Sequence, residues 1–193
     1  MSETEQQIFE TYAKDYLPVF NRYKIVLDHG DGVYVWDAAG KKYLDFLGGI
    51  AVNVLGYNYQ QLVEAIASQA AKIIHASNLY YTKPQADAAE KLAALSGLGK
   101  VFFCNSGAEA NEGAIKIARK YACQIHPEKS QILTAWDSFH GRTLATLTAT
   151  GQPKYHEGLG PLPAGFDYIR YNDIADLEAK ISDQTAAGQD PRD

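Results

Sequence analysis

Phe102-Phe103-Cys104-Asn105-Ser106-Gly107-Ala108-Glu109-Ala110-Asn111-Glu112 predicts a buried strand, a tight turn and a helix in immediate succession. Ser106 and Glu109 have the S-x-x-E spacing of a capping box, which predicts that the helix starts next to Ser106. The amide N–H groups of Gly107 and Ala108 would then have no carbonyl partner within the helix. Such a helix end attracts an anion by about 0.3–1 kcal/mol through the helix dipole alone, and a phosphate is a suitable ligand.

A second group of candidate residues follows the next predicted strand, which runs from Gln131 to Trp136. The chain continues there as Asp137-Ser138-Phe139-His140-Gly141-Arg142-Thr143. Ligands of open α/β sheets bind outside the carboxyl ends of the strands, so we expect both loops to reach the same edge of one sheet. Phe139 offers a ring that can stack on a flat heteroaromatic ligand, worth about 0.5–1.5 kcal/mol beyond burial. Arg142 offers a guanidinium fork that fits a carboxylate.

Each of these features also has a purely structural interpretation. The helix start can be nothing more than a well-capped helix, and the residues of that stretch alone leave this choice open. A lone phenylalanine is more often core filler, and a lone arginine is more often a solvated surface charge. The stretch contains neither the Walker pattern nor G-x-G-x-x-G, so it gives nucleotide binding no support.

The first part of the chain predicts an N-terminal arm with short strands, over residues 1–56. Val33 to Trp36 and Tyr43 to Phe46 are rich in strand-forming residues and are separated by a turn. The pattern then becomes helical. One amphipathic helix is predicted from about Gln60 to Ile74, and a second from Thr82 to about Leu95.

Strands and helices then alternate along the chain. The predicted strand Lys100 to Cys104 precedes the capped helix, and the predicted helix Asp173 to Ile181 leads into Thr185-Ala186-Ala187. This alternation predicts an α/β fold in which helices cover a parallel sheet. We therefore assign residues 57–187 to the first part of a larger sheet domain and residues 188–193 to a divergent tail.

Composition excludes several classes of protein. Of 193 residues, 46% are hydrophobic and 21% are charged, as in ordinary globular domains, and the formal net charge is −5. This net negative charge disfavours a nucleic-acid partner, because binding to the phosphate backbone requires a basic protein surface. No apolar run is long enough to cross a membrane, and Met1 to Gln7 lack the pattern of a secretory signal. Two cysteines are too few for a disulfide framework, so we expect a cytoplasmic protein.

Five segments in this order resemble the class III, ornithine/acetylornithine-type aminotransferases, which depend on pyridoxal phosphate. The resemblance covers nearly all of residues 17–187 and rests on the segments Phe46 to Asn53, Ser77 to Tyr81, Asn105 to Glu112, Ser138 to Thr143 and Gly151 to Tyr155. It implies the fold-type-I architecture, present as the N-terminal arm and the first, incomplete half of the large parallel-sheet domain.

The same resemblance implies roles for the candidate residues. Ser106, Gly107 and Ala108 would bind the cofactor phosphate, Phe139 would stack on the pyridine ring, and Arg142 would bind the α-carboxylate of the substrate. No metal site is implied. The partners would be amino-acid and 2-oxo-acid substrates and, for the intact protein, a second copy of the chain.

The activity implied by the resemblance is N-acetylornithine:2-oxoglutarate transamination in arginine biosynthesis. Succinylornithine, ornithine or 4-aminobutyrate aminotransferases are the alternatives within the family. No lysine of this chain has the context expected of the Schiff-base lysine, which would lie beyond its end, so we expect a truncated chain that is inactive alone. A non-catalytic remnant or interaction module, and a phosphate- or nucleotide-binding domain, are the alternatives from other classes. We also expect low stability, because a half-built sheet leaves an unpaired apolar edge.

Overall fold

The computed structural model describes residues 3–188. Internal contacts divide the chain into a first unit that ends at Lys83 and a second unit that starts at Pro84. The domain boundary after residue 56 stays a prediction from the sequence. Of the predicted tail, Gly188 belongs to the last strand, and residues 189–193 lie outside the described residues.

The first unit combines helices with a small antiparallel sheet. Its three strands follow one another along the chain, and the second strand pairs with the first and the third. The elements are α1 (Glu3–Asp15), β1 (Leu27–Asp31), β2 (Tyr34–Asp37), β3 (Lys42–Leu44), α2 (Gly48–Ala51) and α3 (Gln60–Ala70). Asp37 stabilises the turn between β2 and β3, because its carboxylate accepts hydrogen bonds from the N–H groups of Ala39 and Lys41 and from the Tyr43 hydroxyl. The predicted short strands are thus confirmed, whereas α1 was not predicted.

The chain from Lys83 onward confirms the predicted alternation of helices and parallel strands. Its elements are α4 (Lys83–Ser96), α5 (Gly107–Ile125), β4 (Gln131–Ala135), α6 (Leu144–Ala149), a 3₁₀ turn (Pro153–Tyr155), β5 (Phe166–Ile169), α7 (Ile174–Lys180) and β6 (Thr185–Gly188). The strands pair in parallel in the order β5-β4-β6. Leu133 of β4, Ile169 of β5 and Leu177 of α7 form a buried hydrophobic cluster, so α7 packs against this sheet.

One predicted strand is absent from the structure, and one predicted helix is shorter than its sequence pattern indicated. Lys100 to Cys104 is not a strand, and Phe102 is 66% exposed. A strand requires a neighbour to satisfy its backbone N–H and C=O groups, and no described strand lies alongside this segment. The helix α3 ends at Ala70, so Ile73 and Ile74 lie beyond the helix to which their spacing had assigned them.

Hydrogen bonds of Arg119 connect the carboxyl-terminal half of α5 to the segments that precede two strands of the sheet. The Nε of Arg119 donates to the carbonyl of Ser130 at 2.9 Å, and its Nη2 donates to the carbonyls of Ala164 at 3.0 Å and Gly165 at 3.2 Å. These three carbonyls precede β4 and β5, so the helix is held against the amino-terminal edge of both strands.

Within residues 3–188 no helix has both the length and the apolar character that a membrane span requires.

Candidate functional site

The helix α5 begins where the capping box predicts. Ser106 has extended backbone angles, and its Oγ accepts the N–H of Glu109 at 3.1 Å. The Glu109 carboxylate in turn accepts the N–H of Asn105. Both bonds link residues three or four apart, so the local sequence fixes this helix start without help from the rest of the fold.

The space beside Gly107 at the start of α5 is open. The N–H groups of Gly107 and Ala108 have no carbonyl within the helix to which they could donate. A methyl group added at Gly107 would meet no atom within 4 Å, so a ligand can approach the helix end closely. The aligned peptide dipoles make this end of the helix electropositive, and it favours an anion.

The loop after β4 packs directly against this helix start. Gly141 is buried, and a Cβ placed on it would lie 2.7 Å from the Cβ of Ala108 and 2.7 Å from the Oγ1 of Thr146. Two hydrogen bonds reinforce the contact. Asn111 donates to the carbonyl of His140 at 2.7 Å, and Thr143 donates to the carboxylate of Glu112 at 2.6 Å. The two loops that the sequence assigns to one sheet edge therefore touch, and glycine is the residue that permits it.

Phe139 and Arg142 lie on the exposed side of that contact. The Phe139 side chain is 57% exposed. The Arg142 Cζ lies 5.4 Å from the centre of the Phe139 ring and 4.4 Å from the centre of the Tyr155 ring. Among residues 3–188 no carboxylate forms an ion pair with Arg142. The guanidinium fork is therefore available to a ligand. Sequence reasoning gave Tyr155 no role, although it closes the quoted segment Gly151 to Tyr155.

His140 lies between these groups and is held by hydrogen bonds. Its backbone N–H donates to the Oγ1 of Thr150 at 2.9 Å, and its ring Nδ1 lies 3.3 Å from the Oγ of Ser138. Burial lowers the pKa of His140, and a hydrogen bond from its ring to the backbone carbonyl of Ala149 partly opposes that shift. The neutral imidazole is thus favoured, and the hydrogen bonds of His140 give it a structural role in this loop.

The groups at this site fit a flat ligand that carries a phosphate. Two amide donors stand at the helix end, an exposed phenyl ring lies in the adjoining loop, and a guanidinium without an acidic partner lies beside that ring. Amides of a helix end bind phosphate oxygens, an aromatic face stacks on a heteroaromatic ring, and a guanidinium binds a carboxylate. Pyridoxal phosphate with an amino-acid substrate presents these three chemical groups.

Comparison with known proteins identifies the family. The family model for class-III aminotransferases matches residues 16–189. The chain belongs to the class-III aminotransferases. The acetylornithine aminotransferase of Methanocaldococcus jannaschii is 54% identical over 185 residues, which is 95% of this chain and 46% of that relative.

Solved structures of class-III aminotransferases have the same fold. The acetylornithine aminotransferase of Elizabethkingia anophelis matches with a TM-score of 0.80 and 35% identity, over 97% of this chain and 46% of the other. An ornithine aminotransferase of Toxoplasma gondii, described with partial occupancy of pyridoxal phosphate at its active site, matches with a TM-score of 0.91 and 27% identity, over 96% and 45%. The chain thus spans about half the length of the class-III aminotransferases that it matches.

Proposed function

We propose that this chain carries the phosphate-binding and carboxylate-binding residues of a pyridoxal-phosphate-dependent N-acetylornithine:2-oxoglutarate aminotransferase. The observation that carries the proposal is the contact of Gly141 with Ala108, since it joins the anion-binding helix end to the loop of Phe139 and Arg142. The 54% identity with an acetylornithine aminotransferase supports acetylornithine as the amino donor. The activity is proposed for the whole protein, of which these residues form one part.

Each side chain has a defined task in this proposal. The N–H groups of Gly107 and Ala108 bind the phosphate, and the Ser106 cap keeps the first turn in place. Phe139 stacks on the pyridine ring, and Arg142 binds the α-carboxylate of the amino-acid or 2-oxo-acid substrate. Pyridoxal phosphate supplies an electron sink to the site when it is bound. The residues named here orient it and the substrate, and we assign covalent attachment to no lysine of this chain.

The choice of amino donor has alternatives within the family. The structural likeness to an ornithine aminotransferase supports ornithine as a second candidate donor. Succinylornithine and 4-aminobutyrate stay open as well. We propose further that the intact protein is a cytoplasmic homodimer, and sedimentation equilibrium of that protein tests its assembly.

Binding of pyridoxamine 5′-phosphate to the 193-residue chain tests the phosphate site. This probe cannot form a Schiff base with surface lysines, so its binding reports the non-covalent site alone. Gly107→Pro removes one N–H at the first helical position, where proline is tolerated and Ser106 is already extended. Hydrogen bonds to charged groups are worth about 1.5–3 kcal/mol, so we expect this variant to bind the probe at least tenfold more weakly. Gly107→Ala is the matched control, because it keeps the N–H and its added methyl group meets no atom within 4 Å.

Three results would contradict the proposal. The phosphate site is refuted if pyridoxamine without phosphate binds as tightly as its 5′-phosphate. Equal weakening by Gly107→Pro and Gly107→Ala would show that the amide is not the binding group. Tighter binding of ATP or NAD than of pyridoxamine 5′-phosphate would favour a nucleotide-binding domain instead.

A further inference from the structure

We propose that Tyr155 is a positioning residue for Arg142. Its ring holds the guanidinium in place while leaving the N–H groups free to bind a substrate carboxylate. This inference rests on the proposed function, because it assumes the carboxylate-binding role of Arg142.

The geometry favours stacking over ion pairing as the means of support. The Arg142 Cζ lies 4.4 Å from the Tyr155 ring centre, closer than to the Phe139 ring centre at 5.4 Å. A cation over an aromatic face is attracted by the ring quadrupole, and the five N–H donors stay in the guanidinium plane. A carboxylate partner would instead occupy the fork that the substrate needs. No described carboxylate takes that place.

Side chains on both sides of Tyr155 bond to the backbone around the site. Before it, the Gln152 Nε2 donates to the carbonyl of Ser138 at 2.9 Å, in the loop that carries Phe139. After it, the His156 Nε2 lies 2.9 Å from the carbonyls of both Leu147 and Thr150, at the end of α6. Carbonyl oxygens only accept, so the His156 Nε2 carries a hydrogen. These bonds hold the segment that carries Tyr155 against the loop after β4 and the end of α6.

A second cation lies over the same ring. The Lys154 Nζ is 4.9 Å from the Tyr155 ring centre, and no described carboxylate pairs with it. Arg142 and Lys154 thus both lie over the Tyr155 ring, and each positive charge attracts an anion. 2-Oxoglutarate carries two carboxylates and is a substrate in the proposed function, so it is the ligand with which we test Tyr155.

The test compares two ligands on one set of variants of the 193-residue chain. Isothermal titration measures the Kd of 2-oxoglutarate and, separately, of pyridoxamine 5′-phosphate. Tyr155→Leu should raise the Kd of 2-oxoglutarate about two- to fivefold, the range expected for loss of an exposed cation–π contact. Tyr155→Phe keeps the ring and should restore affinity. Tyr171→Leu is the matched control, because Tyr171 is 69% exposed and has no described ring contact.

The two ligands separate positioning from a general structural role. The expected result is weaker 2-oxoglutarate binding by Tyr155→Leu with unchanged pyridoxamine 5′-phosphate binding. Weakening of both ligands, no weakening of either, or failure of Tyr155→Phe to restore affinity would each overturn the inference.

Arg142→Ala separates this inference from the proposed function. If Arg142→Ala leaves 2-oxoglutarate affinity unchanged, or if the unsubstituted chain does not bind 2-oxoglutarate, the carboxylate role of Arg142 fails and the Tyr155 inference fails with it. If Arg142→Ala weakens binding and Tyr155→Leu does not, only the Tyr155 inference is overturned.

Discussion

Replacing Gly141 by alanine should separate the two loops that form the candidate site. The new Cβ would lie 2.7 Å from the Cβ of Ala108 and 2.7 Å from the Oγ1 of Thr146. Carbon atoms pack at 3.5–4.0 Å, so the backbone would have to move by about 1 Å. Overpacking of this kind costs about 1–3 kcal/mol. Gly141 also has φ 133°, which L-residues avoid, and that adds about 1–2 kcal/mol.

Gly141→Ala is therefore expected to lower the free energy of unfolding by about 2–5 kcal/mol, a large part of the 5–15 kcal/mol of a typical domain. Urea unfolding followed by Trp136 fluorescence in a Trp36→Phe background measures it, since Trp36 and Trp136 are the only tryptophans. Gly158→Ala is the control for backbone strain alone, because Gly158 has φ 74° and no atom within 4 Å of an added Cβ. It should cost about 1–2 kcal/mol.

The same variant has a consequence for ligand binding. A displacement of about 1 Å between the helix start and the loop of Phe139 should weaken pyridoxamine 5′-phosphate binding at least tenfold, because both parts contact one ligand in the proposed function. Equal stability and equal ligand affinity for Gly141→Ala and Gly158→Ala would refute the reasoning, since the contact would then not hold the site together.

Three further substitutions test separate features of the second unit. Ser106→Ala removes the α5 cap and should lower the free energy of unfolding by about 1 kcal/mol, whereas Ser106→Asp should retain it; equal urea midpoints for both would contradict this. Thr134→Val should raise the melting temperature, because the buried Oγ1 of Thr134 has no hydrogen-bond partner and such a group costs about 1–3 kcal/mol. A lower melting temperature would show that the hydroxyl is satisfied. Burial lowers the pKa of His140 below 6.5, so the folded chain binds this proton more weakly than the unfolded chain, and stability should fall as the pH drops through 6.5. His140→Gln should flatten the dependence of the urea midpoint on pH between 7 and 5, and an unchanged slope would count against a histidine held neutral.

Features encoded by neighbouring residues could be predicted from the sequence. The start of α5 follows from Ser106 and Glu109, three residues apart, and the structure has that hydrogen bond. The strand β4 follows from a short apolar run that ends in a polar loop. The meeting of the two loops was expected from a general rule about parallel sheets, and Gly141 does contact Ala108, although Lys100 to Cys104 is not the strand from which the rule started.

Features that depend on distant partners could not be predicted in the same way. Lys100 to Cys104 has the composition of a strand, but a strand exists only beside a neighbour that accepts its hydrogen bonds. The contact of Tyr155 with Arg142 joins residues thirteen positions apart with the helix α6 between them, and neither residue type alone indicates it. The roles of Ser106, Phe139 and Arg142 in binding stay predictions until ligands are measured.

The bonds of Arg119 have a consequence for the opposite end of the same helix. They hold the carboxyl-terminal half of α5, while Asn111 and Glu112 hold its beginning, so sliding along the helix axis would break bonds at both ends. The first amides of α5 are thus preorganised: they stand in position before an anion arrives. Binding then requires no ordering of the receptor at that point, and a rigid donor pair discriminates sharply by the size and shape of the anionic group.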